Sequence, residues 1–493
     1  MPRHCRSLSR KTWLLALALC IAPVAGVAQP AQAQDHDTPL PASVREAMEA
    51  VDIPPEAVSI LVQRRGSNEP LLSINAETPR NPASVMKLFT TYAALEALGP
   101  GHTWETRVYA DGTVRDGRLD GDLRLVGDGD PHLTAEDFWS LLGAIRRQGI
   151  KHIDGDLVLD GTRFAPAERD PGAFDGRPYR AYNQPPHALL VNLNTIKFEL
   201  ASDRDASSVH VAMHPPLGNL PVENRLRVDP DMWCGGHRWH VNYDLEGGPE
   251  TPRALLEGRY GAECATAALR RTGLPVENYV HGLFDALWAH WDGTFDGHWR
   301  ADSIAGANAD AIVTHESRPL AEIIRLTNKY SNNVMARQLA LTIAAEAGRT
   351  PAMEVDGREG VRDALEAQGL ATDGMVLDEV AGLSRDNRVS ANHVAALLET
   401  AADSLVMPEF MASLPIAGVD GTLRGRLRDG PESGRVRMKT GMINDVSAIA
   451  GYMRNAHGED LVVVVLINHD GAHLRRGSAV QDAVIRWGFR TEP

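Results

Sequence analysis

The chain reads NPASVMK at residues 81–87, between a strand-like hairpin and a helical segment. Asn81 is a favourable N-cap and is followed by a proline at the first helical position, so the pattern predicts a helix that begins here and ends at Gly99. Ser84 and Lys87 lie three residues apart in its first turn and therefore share one face. Because a neutral lysine amine can accept the proton of a serine hydroxyl, the stretch predicts a nucleophile and its base. Alone, this S-x-x-K pattern is weak evidence, since it occurs by chance in many proteins.

Two further motifs, S-N-N and K-T-G, make the pattern specific. In S-N-N, between two helical segments, Ser331 offers a hydroxyl that can relay a proton, and Asn333 offers an amide that can hold a substrate carbonyl. In K-T-G, on a predicted strand, Lys439 supplies a second cation, Thr440 a donor to a carboxylate, and Gly441 room for a peptide along the strand edge. The three motifs in this order, on helix, loop and strand, form a highly specific combination.

Periodicity places these motifs in an α/β framework formed by the two ends of the chain. Strands are predicted at 58–62, 71–74, 435–441, 446–453 and 461–467, and helices at 320–327, 334–347 and 480–487. Between the two ends, residues 103–181 contain short alternating runs typical of β-strands, and residues 185–300 are irregular. The sequence therefore predicts β-rich material inserted into one α/β domain.

With these motifs the chain resembles the class C low-molecular-mass penicillin-binding proteins, the D-alanyl-D-alanine carboxypeptidases/endopeptidases of bacterial cell walls. Other stretches match landmarks of that family: LVGDGDP at 125–131, YN at 182–183, GLSRDN at 382–387 and AGVDGTL at 417–423. The resemblance implies an α/β fold in which a penicillin-recognising, β-lactamase-like serine transferase domain is split by two inserted, mainly β domains. The long gap between Lys87 and Ser331 leaves room for them.

The resemblance and the composition shifts together predict the domain boundaries. They are a signal peptide at 1–33, a DD-peptidase domain at 35–105 and 305–493, an inserted domain at 106–183 and 285–304, and a second inserted domain at 184–284. A total length of 493 residues agrees with about three domains.

The resemblance also implies a role for each motif residue in a serine DD-peptidase reaction that needs no cofactor. Ser84 is expected to be the acyl-enzyme nucleophile, Lys87 the general base and Ser331 the relay to the leaving amine. The expected substrate contacts are the stem-peptide amide on Asn333, the terminal carboxylate on Lys439 and Thr440, and an oxyanion hole formed by the backbone N–H groups of Ser84 and Met442. β-Lactam antibiotics are expected to acylate Ser84 as covalent inhibitors.

Met442 departs from the family pattern, which usually has Ser or Thr after K-T-G. A methionine side chain cannot donate a hydrogen bond to the substrate carboxylate, whereas its backbone N–H is unaffected. We therefore expect a relative loss of carboxypeptidase over endopeptidase activity. A second departure is Glu379-Val380-Ala381, which replaces a polar, serine-containing run, and its effect does not follow from the sequence.

Four residues resemble, by position, those that contact diaminopimelate in relatives: Asp160, Phe164, Arg385 and Asn444. Opposite charges on Asp160 and Arg385 suit a zwitterionic amino-acid end. The alternatives are a structural salt bridge or two unrelated surface charges.

Composition restricts the class of partner and the compartment. The chain has 50 Lys+Arg against 65 Asp+Glu, and this net charge of −15 argues against nucleic-acid binding. Residues 1–33 have a basic start, an apolar core and small-x-small sites, which predicts a cleaved export signal, a periplasmic protein and no membrane span after cleavage. Cys234 and Cys264 would remain, and we expect a disulfide between them rather than two buried thiols. The oligomeric state does not follow from the sequence.

Three other functions are alternatives to the DD-peptidase. The histidines that could form a zinc site, His237, His240, His281, His290 and His298, lack a constrained ligand spacing, so no metal is predicted. A serine β-lactamase shares the acylation motifs, but no E-x-x-L-N segment follows Ser331, so a penicillin should stay attached. A non-catalytic wall-binding scaffold would gain nothing from the lysine–serine pair, and Met442 is its only support.

Overall fold

The computed structural model describes residues 38–492, apart from 68, 203–207, 249–250, 263, 265 and 304–309. The predicted signal peptide at 1–33 lies outside the described residues. The helices are α1 Ala42–Glu49, α2 Lys87–Leu98, α3 Ala135–Arg147, α4 His237–His240, α5 Val276–His290, α6 Leu320–Tyr330, α7 Asn333–Glu346, α8 Glu354–Ala367, α9 Ala391–Asp403, α10 Met407–Ser413 and α11 Gly477–Arg490. The strands are β1 Val58–Arg64, β2 Pro70–Ile74, β3 Glu105–Arg115, β4 Arg118–Val126, β5 His152–Ile153, β6 Leu157–Asp160, β7 Ile196–Ala201, β8 His210–His214, β9 Val222–Asp229, β10 Val241–Glu246, β11 Arg253–Gly261, β12 Ala267–Arg271, β13 Thr294–Phe295, β14 Trp299–Ala301, β15 Val313–Glu316, β16 Val436–Ile443, β17 Val446–Arg454 and β18 Asp460–Asn468.

A five-stranded sheet joins the two ends of the chain in the order β16-β17-β18-β1-β2. Its neighbouring strands are antiparallel, and the apolar run of β18 is buried on both faces. Because successive side chains of a strand point to opposite faces, Val462 and Val464 pack towards α2 and α6–α9, whereas Val463 and Val465 pack towards α1 and α11. The sheet is therefore the middle layer between two groups of helices, and its first strand, β16, forms one edge.

The inserted region contains two three-stranded sheets, β10-β11-β9 and β12-β7-β8, and six strands of a seven-stranded sheet, whose seventh strand, β15, follows that region and pairs with β3. They share a second apolar core with α3 and α5. The α/β class with inserted, mainly β material is thus confirmed, with two corrections. Helix α3 lies in the stretch interpreted as strands only, and α5 and strands β7–β12 lie in the stretch interpreted as irregular. The N-terminus of α3 carried a local signal, because Thr134 and Asp137 form a reciprocal capping box.

The elements predicted at the two ends are confirmed. The β1–β2 hairpin, helices α6, α7 and α11, and strands β16–β18 all form where the periodicity places them. Gly348, after α7, has the positive φ of 86° that favours glycine at a helix end. Helices α8, α9 and α10 were not predicted.

Cys234 and Cys264 are disulfide-bonded, with Cα atoms 5.2 Å apart, so the predicted pairing is confirmed. The bridge ties the segment after β9 to the loop between β11 and β12. In the described part of the chain, every helix is too short or too polar to cross a membrane.

Candidate active site

Ser84 lies in a tight turn immediately before α2 rather than within that helix. Residues Ala83–Met86 form a 3-10 turn, and the α-helix begins at Lys87, which corrects the predicted helix start. The predicted N-cap at Asn81 is also wrong, because neither the 3-10 turn nor α2 has a side-chain cap; the Asn81 side-chain oxygen instead accepts the N–H of Ala83 at 2.8 Å in a local turn before Ser84. Ala83 itself has a φ of 45°, which is rare for a residue with a side chain. The turn is thus held in an unusual conformation next to Ser84.

Two glycines make room for this turn from opposite sides of the motif set. A Cβ on Gly382 would lie 2.0 Å from the carbonyl oxygen of Ala83, and a Cβ on Gly441 would lie 2.4 Å from that of Pro82. Both distances are far below any real contact. The space beside Gly441 is therefore filled by the backbone of the Ser84 turn, and not by a substrate peptide as the sequence analysis expected.

The Lys87 amine is fully buried and contacts three oxygens. Its Nζ lies 3.1 Å from Ser84 Oγ and 2.6 Å from Asn333 Oδ1, and it also contacts the carbonyl oxygen of Ala381. Burial lowers the pKa of Lys87 to about 7; the nearby Glu379 carboxylate opposes that shift. The predicted pair Ser84–Lys87 is thus brought together, Asn333 joins it as a partner of Lys87 that was not predicted, and a large fraction of this amine is neutral near pH 7.

A second buried lysine, Lys439 on β16, contacts the other predicted hydroxyl. Its Nζ lies 2.8 Å from Ser331 Oγ. Burial, together with the charge of Lys87, holds the pKa of Lys439 well below its ordinary value. Ser331 ends α6 with a left-handed φ of 56°, and Asn332 caps α7 by accepting the N–H of Met335 at 3.1 Å. The S-N-N motif is therefore the corner between two helices.

The K-T-G strand offers a free edge beside these side chains. Met438 donates its N–H away from β17, to the carbonyl oxygen of Pro415 at 3.0 Å. N–H groups two and four residues further along an antiparallel strand point the same way, so the N–H of Met442 faces this edge. Thr440 Oγ1 lies 2.7 Å from Thr422 Oγ1 at the same edge, and the Met442 side chain is 55% exposed.

Two of the four predicted specificity residues meet at the turn after this strand. Arg385 donates to the carbonyl oxygen of Asn444 at 2.8 Å, and its guanidinium lies 5.1 Å from the ring centre of Phe174. The aromatic neighbour of Arg385 is therefore Phe174, which the sequence analysis missed. No local signal singled out Phe174, because the contact joins segments far apart in the chain.

The other two predicted specificity residues do not join Arg385. Asp160 accepts the N–H and the hydroxyl of Thr162, at 3.0 and 2.7 Å, so it closes its own loop. Phe164 is only 3% exposed and packs in a small apolar cluster with Leu341 and Ala344, so its predicted contact with a substrate is wrong for this structure.

A buried ion pair behind Lys87 was also missed. Glu379 Oε1 lies 2.9 Å from Arg337 Nε, and Glu379 is 5% exposed. Burial favours the neutral acid, but Arg337 and the N–H of Leu383 outweigh it and hold the pKa of Glu379 below its ordinary value. Arg337 lies one helical turn after Asn333, and this spacing was the only sequence signal for it.

Among the described residues, the histidines considered as zinc ligands do not form a group with close ligand atoms. Within the described residues, His281 lies 3.3 Å from Asp285, and the His/Cys/Asp/Glu group with close ligand atoms is a different one, His152 with Asp154 and Asp296. Arg118 ion-pairs with Asp154, so one of the two carboxylates of that group is already paired with a guanidinium.

Comparison with known proteins agrees with this geometry. Residues 40–488 match the D-Ala-D-Ala carboxypeptidase 3 (S13) family. The chain is 32% identical over 442 residues to a D-alanyl-D-alanine carboxypeptidase of Actinomadura sp. (strain R39), covering 86% of this chain and 80% of that protein. It is similar to the crystal structure of penicillin binding protein 4 (dacB) from Haemophilus influenzae, with a TM-score of 0.76, 26% identity, and coverage of 91% and 99% of the two chains. The structure of that protein complexed with a novel beta-lactam has a TM-score of 0.72 at 26% identity, covering 90% and 97%. The chain belongs to the D-Ala-D-Ala carboxypeptidase 3 (S13) family.

Proposed function

We propose that Ser84 is the acyl-enzyme nucleophile of a serine DD-peptidase that cleaves terminal D-Ala-D-Ala and D-alanyl cross-links in peptidoglycan. Membership of a D-Ala-D-Ala carboxypeptidase family gives the reaction class. The observation that carries the assignment of residues is the set of three oxygens around Lys87 Nζ, of which Ser84 Oγ is one.

The three oxygens explain how Lys87 acts as a base. A neutral amine has two N–H donors and one lone pair. Asn333 Oδ1 and the carbonyl oxygen of Ala381 can only accept, so they take the two N–H groups and leave the lone pair for the Ser84 hydroxyl. Ser84 Oγ then attacks the carbonyl carbon of the penultimate D-alanine while its proton passes to Lys87.

The remaining motif residues protonate the leaving amine and bind the substrate. Ser331, held by Lys439, relays the proton that Lys87 took from Ser84 to the departing amine as the C–N bond breaks, and water later hydrolyses the ester, which releases the peptide acid and restores the Ser84 hydroxyl. Thr440 and Lys439 hold the terminal carboxylate, and the N–H groups of Ser84 and Met442 stabilise the oxyanion, each contributing about 3 kcal/mol in the transition state.

A β-lactam should acylate Ser84 and remain bound. In class A β-lactamases, rapid deacylation uses a glutamate carboxylate that is free to activate water. Glu379 is the carboxylate whose charge acts on the Lys87 amine. Both of its oxygens are occupied: one accepts from Arg337, and the other accepts the N–H groups of Ala381 and Leu383. This supports a penicillin-binding protein over a β-lactamase.

We also propose an exported, periplasmic protein whose peptidase domain comprises 35–105 and 305–493, with the inserted domains at 106–183 with 285–304 and at 184–284. The five-stranded sheet shared by both chain ends supports this division. The wall substrate supports the compartment.

Fluorescent-penicillin labelling followed over time tests the proposal on the parent, Ser84→Ala and the matched control Ser67→Ala, in the β1–β2 turn. We expect persistent label on the parent and the control and none on Ser84→Ala. Label that disappears quickly would indicate a β-lactamase, and absence of label on the parent would indicate a non-catalytic protein.

A further inference from the structure

We propose that Glu379, with Arg337, is a positioning residue for the catalytic base, acting through the turn that holds the Lys87 amine. The inference rests on the proposed function and extends it to two residues that do not touch the substrate. Glu379 belongs to the Glu379-Val380-Ala381 run that departs from the family pattern, and Arg337 contacts it from α7.

The geometry forms a continuous chain from the carboxylate to the amine. Glu379 Oε2 accepts the N–H of Ala381 at 3.1 Å and that of Leu383 at 2.6 Å. These bonds fix the turn whose Ala381 carbonyl accepts from Lys87. Thr90, on α2 with Lys87, holds the same turn by donating to the carbonyl oxygen of Val380 at 2.6 Å. Without the carboxylate, the turn loses the two hydrogen bonds that orient the Ala381 carbonyl oxygen towards the Lys87 amine.

Arg337 connects this turn to the inserted region. Its Nη1 donates to the carbonyl oxygen of Gln184 at 3.1 Å, while Asn333 Nδ2 donates to that of Tyr182 at 3.1 Å. Two side chains of α7 therefore bind the backbone of residues 182–184. One is Asn333, which contacts Lys87, and the other is Arg337, which contacts Glu379. The ion pair thus fixes Glu379 relative to the helix that carries Asn333.

The charges that face Lys87 come from each element packed against it. They are Glu379 on the turn, Arg337 on α7 and Lys439 on β16. Glu379 raises the pKa of Lys87 and Arg337 lowers it. Removing the charge of Glu379 should therefore lower the pKa of Lys87, and removing the charge of Arg337 should raise it. A purely structural role of the two residues would not shift this pKa in opposite directions.

The experiment measures the acylation rate constant with fluorescent penicillin from pH 5 to 9 for the parent, Glu379→Gln and Arg337→Gln. Acylation needs neutral Lys87, so Glu379→Gln should move the acidic limb of the profile to lower pH, and Arg337→Gln should move it to higher pH, each by about one unit or less. Both plateaus should fall at least about threefold, because the Ala381 carbonyl is less well aimed.

Asp111→Asn is the matched control. It weakens a partly buried ion pair of the inserted sheet, Arg124 with Asp111 at 2.8 Å, and should lower thermal stability without moving the limb. If a single variant does not fold, the double variant Glu379→Gln/Arg337→Gln removes both charges, and because their effects on the pKa of Lys87 are opposite, its limb should lie near the parent position, with a lowered plateau.

Limbs that stay at the parent pH, or that move in the same direction in both single variants, would overturn the inference. So would an unchanged plateau in the double variant. Failure of the proposed function is distinguishable, because the parent itself would then take no label.

Discussion

At the scale of single residues, Lys87 makes the activity depend on pH. Only the neutral amine can take the proton of Ser84, and burial places the pKa of Lys87 at about 7. Acylation by fluorescent penicillin should therefore rise as pH increases through about 7 and fall about tenfold per unit below it. Lys87→Arg, which stays protonated at every pH tested, should label at least about 100-fold more slowly. A flat profile between pH 5 and 8 would contradict this assignment.

Met442 is the residue that should set the balance between the two peptidase activities. Its exposed thioether stands beside Thr440, where a hydroxyl would add one charge-assisted hydrogen bond to a free carboxylate. Such a bond contributes about 1.5–3 kcal/mol. Met442→Ser should therefore raise carboxypeptidase over endopeptidase turnover by about 10-fold or more, measured on a pentapeptide and on a cross-linked dimer. An unchanged ratio would show that this side chain does not discriminate the substrates.

At the scale of elements, the site depends on how closely β16 approaches the Ser84 turn. Gly441→Ala would place a Cβ 2.4 Å from the carbonyl oxygen of Pro82, so strand and turn must separate. We expect about 1–3 kcal/mol of destabilisation and at least about a tenfold slower acylation. Chemical denaturation and labelling measure the two effects.

Gly425→Ala is the control for that substitution, because a Cβ there meets nothing within 4 Å and the backbone is not in the left-handed region. It should leave both the stability and the labelling rate near the parent values. Equal behaviour of the two variants would mean that the close packing at Gly441 is not required.

The elements also differ in how strongly the sequence predicts them. Strands β17 and β18 are buried on both faces, so they stand out as continuous apolar runs. Helix α2 ends before the predicted stop residue, Gly99, but its start is moved to Lys87 by the 3-10 turn that precedes it. By contrast, α8 has a partly polar sequence and packs on α7 through Gly357, where the nearest backbone atom of Ala340 would lie 3.2 Å from a Cβ. Such tertiary support leaves little trace in local periodicity.

At the scale of the whole molecule, the disulfide stabilises the inserted region without belonging to the site. It closes a loop of 30 residues, for which the loss of unfolded-state freedom is worth about 3 kcal/mol. The elements that carry the three catalytic motifs contain neither cysteine. Cys234→Ser/Cys264→Ser should therefore lower the unfolding midpoint while the labelling rate at 25 °C stays within about twofold of the parent. A large loss of labelling at temperatures where the variant is folded would contradict this separation.

The sequence by itself predicted the residues of the candidate site. Ser84 and Lys87 are three residues apart, and S-N-N and K-T-G are short motifs whose local geometry is set by one turn or one strand. Each motif could therefore be recognised on its own, although the contacts between the motifs are tertiary, and the disulfide could be paired because only two cysteines remain outside the predicted signal.

What surrounds that centre was decided by the tertiary structure. Phe174 beside Arg385, Phe164 in the core, and the Glu379–Arg337 pair behind Lys87 all depend on which distant segments pack together. The filling of the space at Gly441 by the Ser84 turn has the same origin. Side-chain burial and charge pairing are properties of the packed molecule, because the same residue in a loop can face solvent or core with no change in its neighbours along the chain.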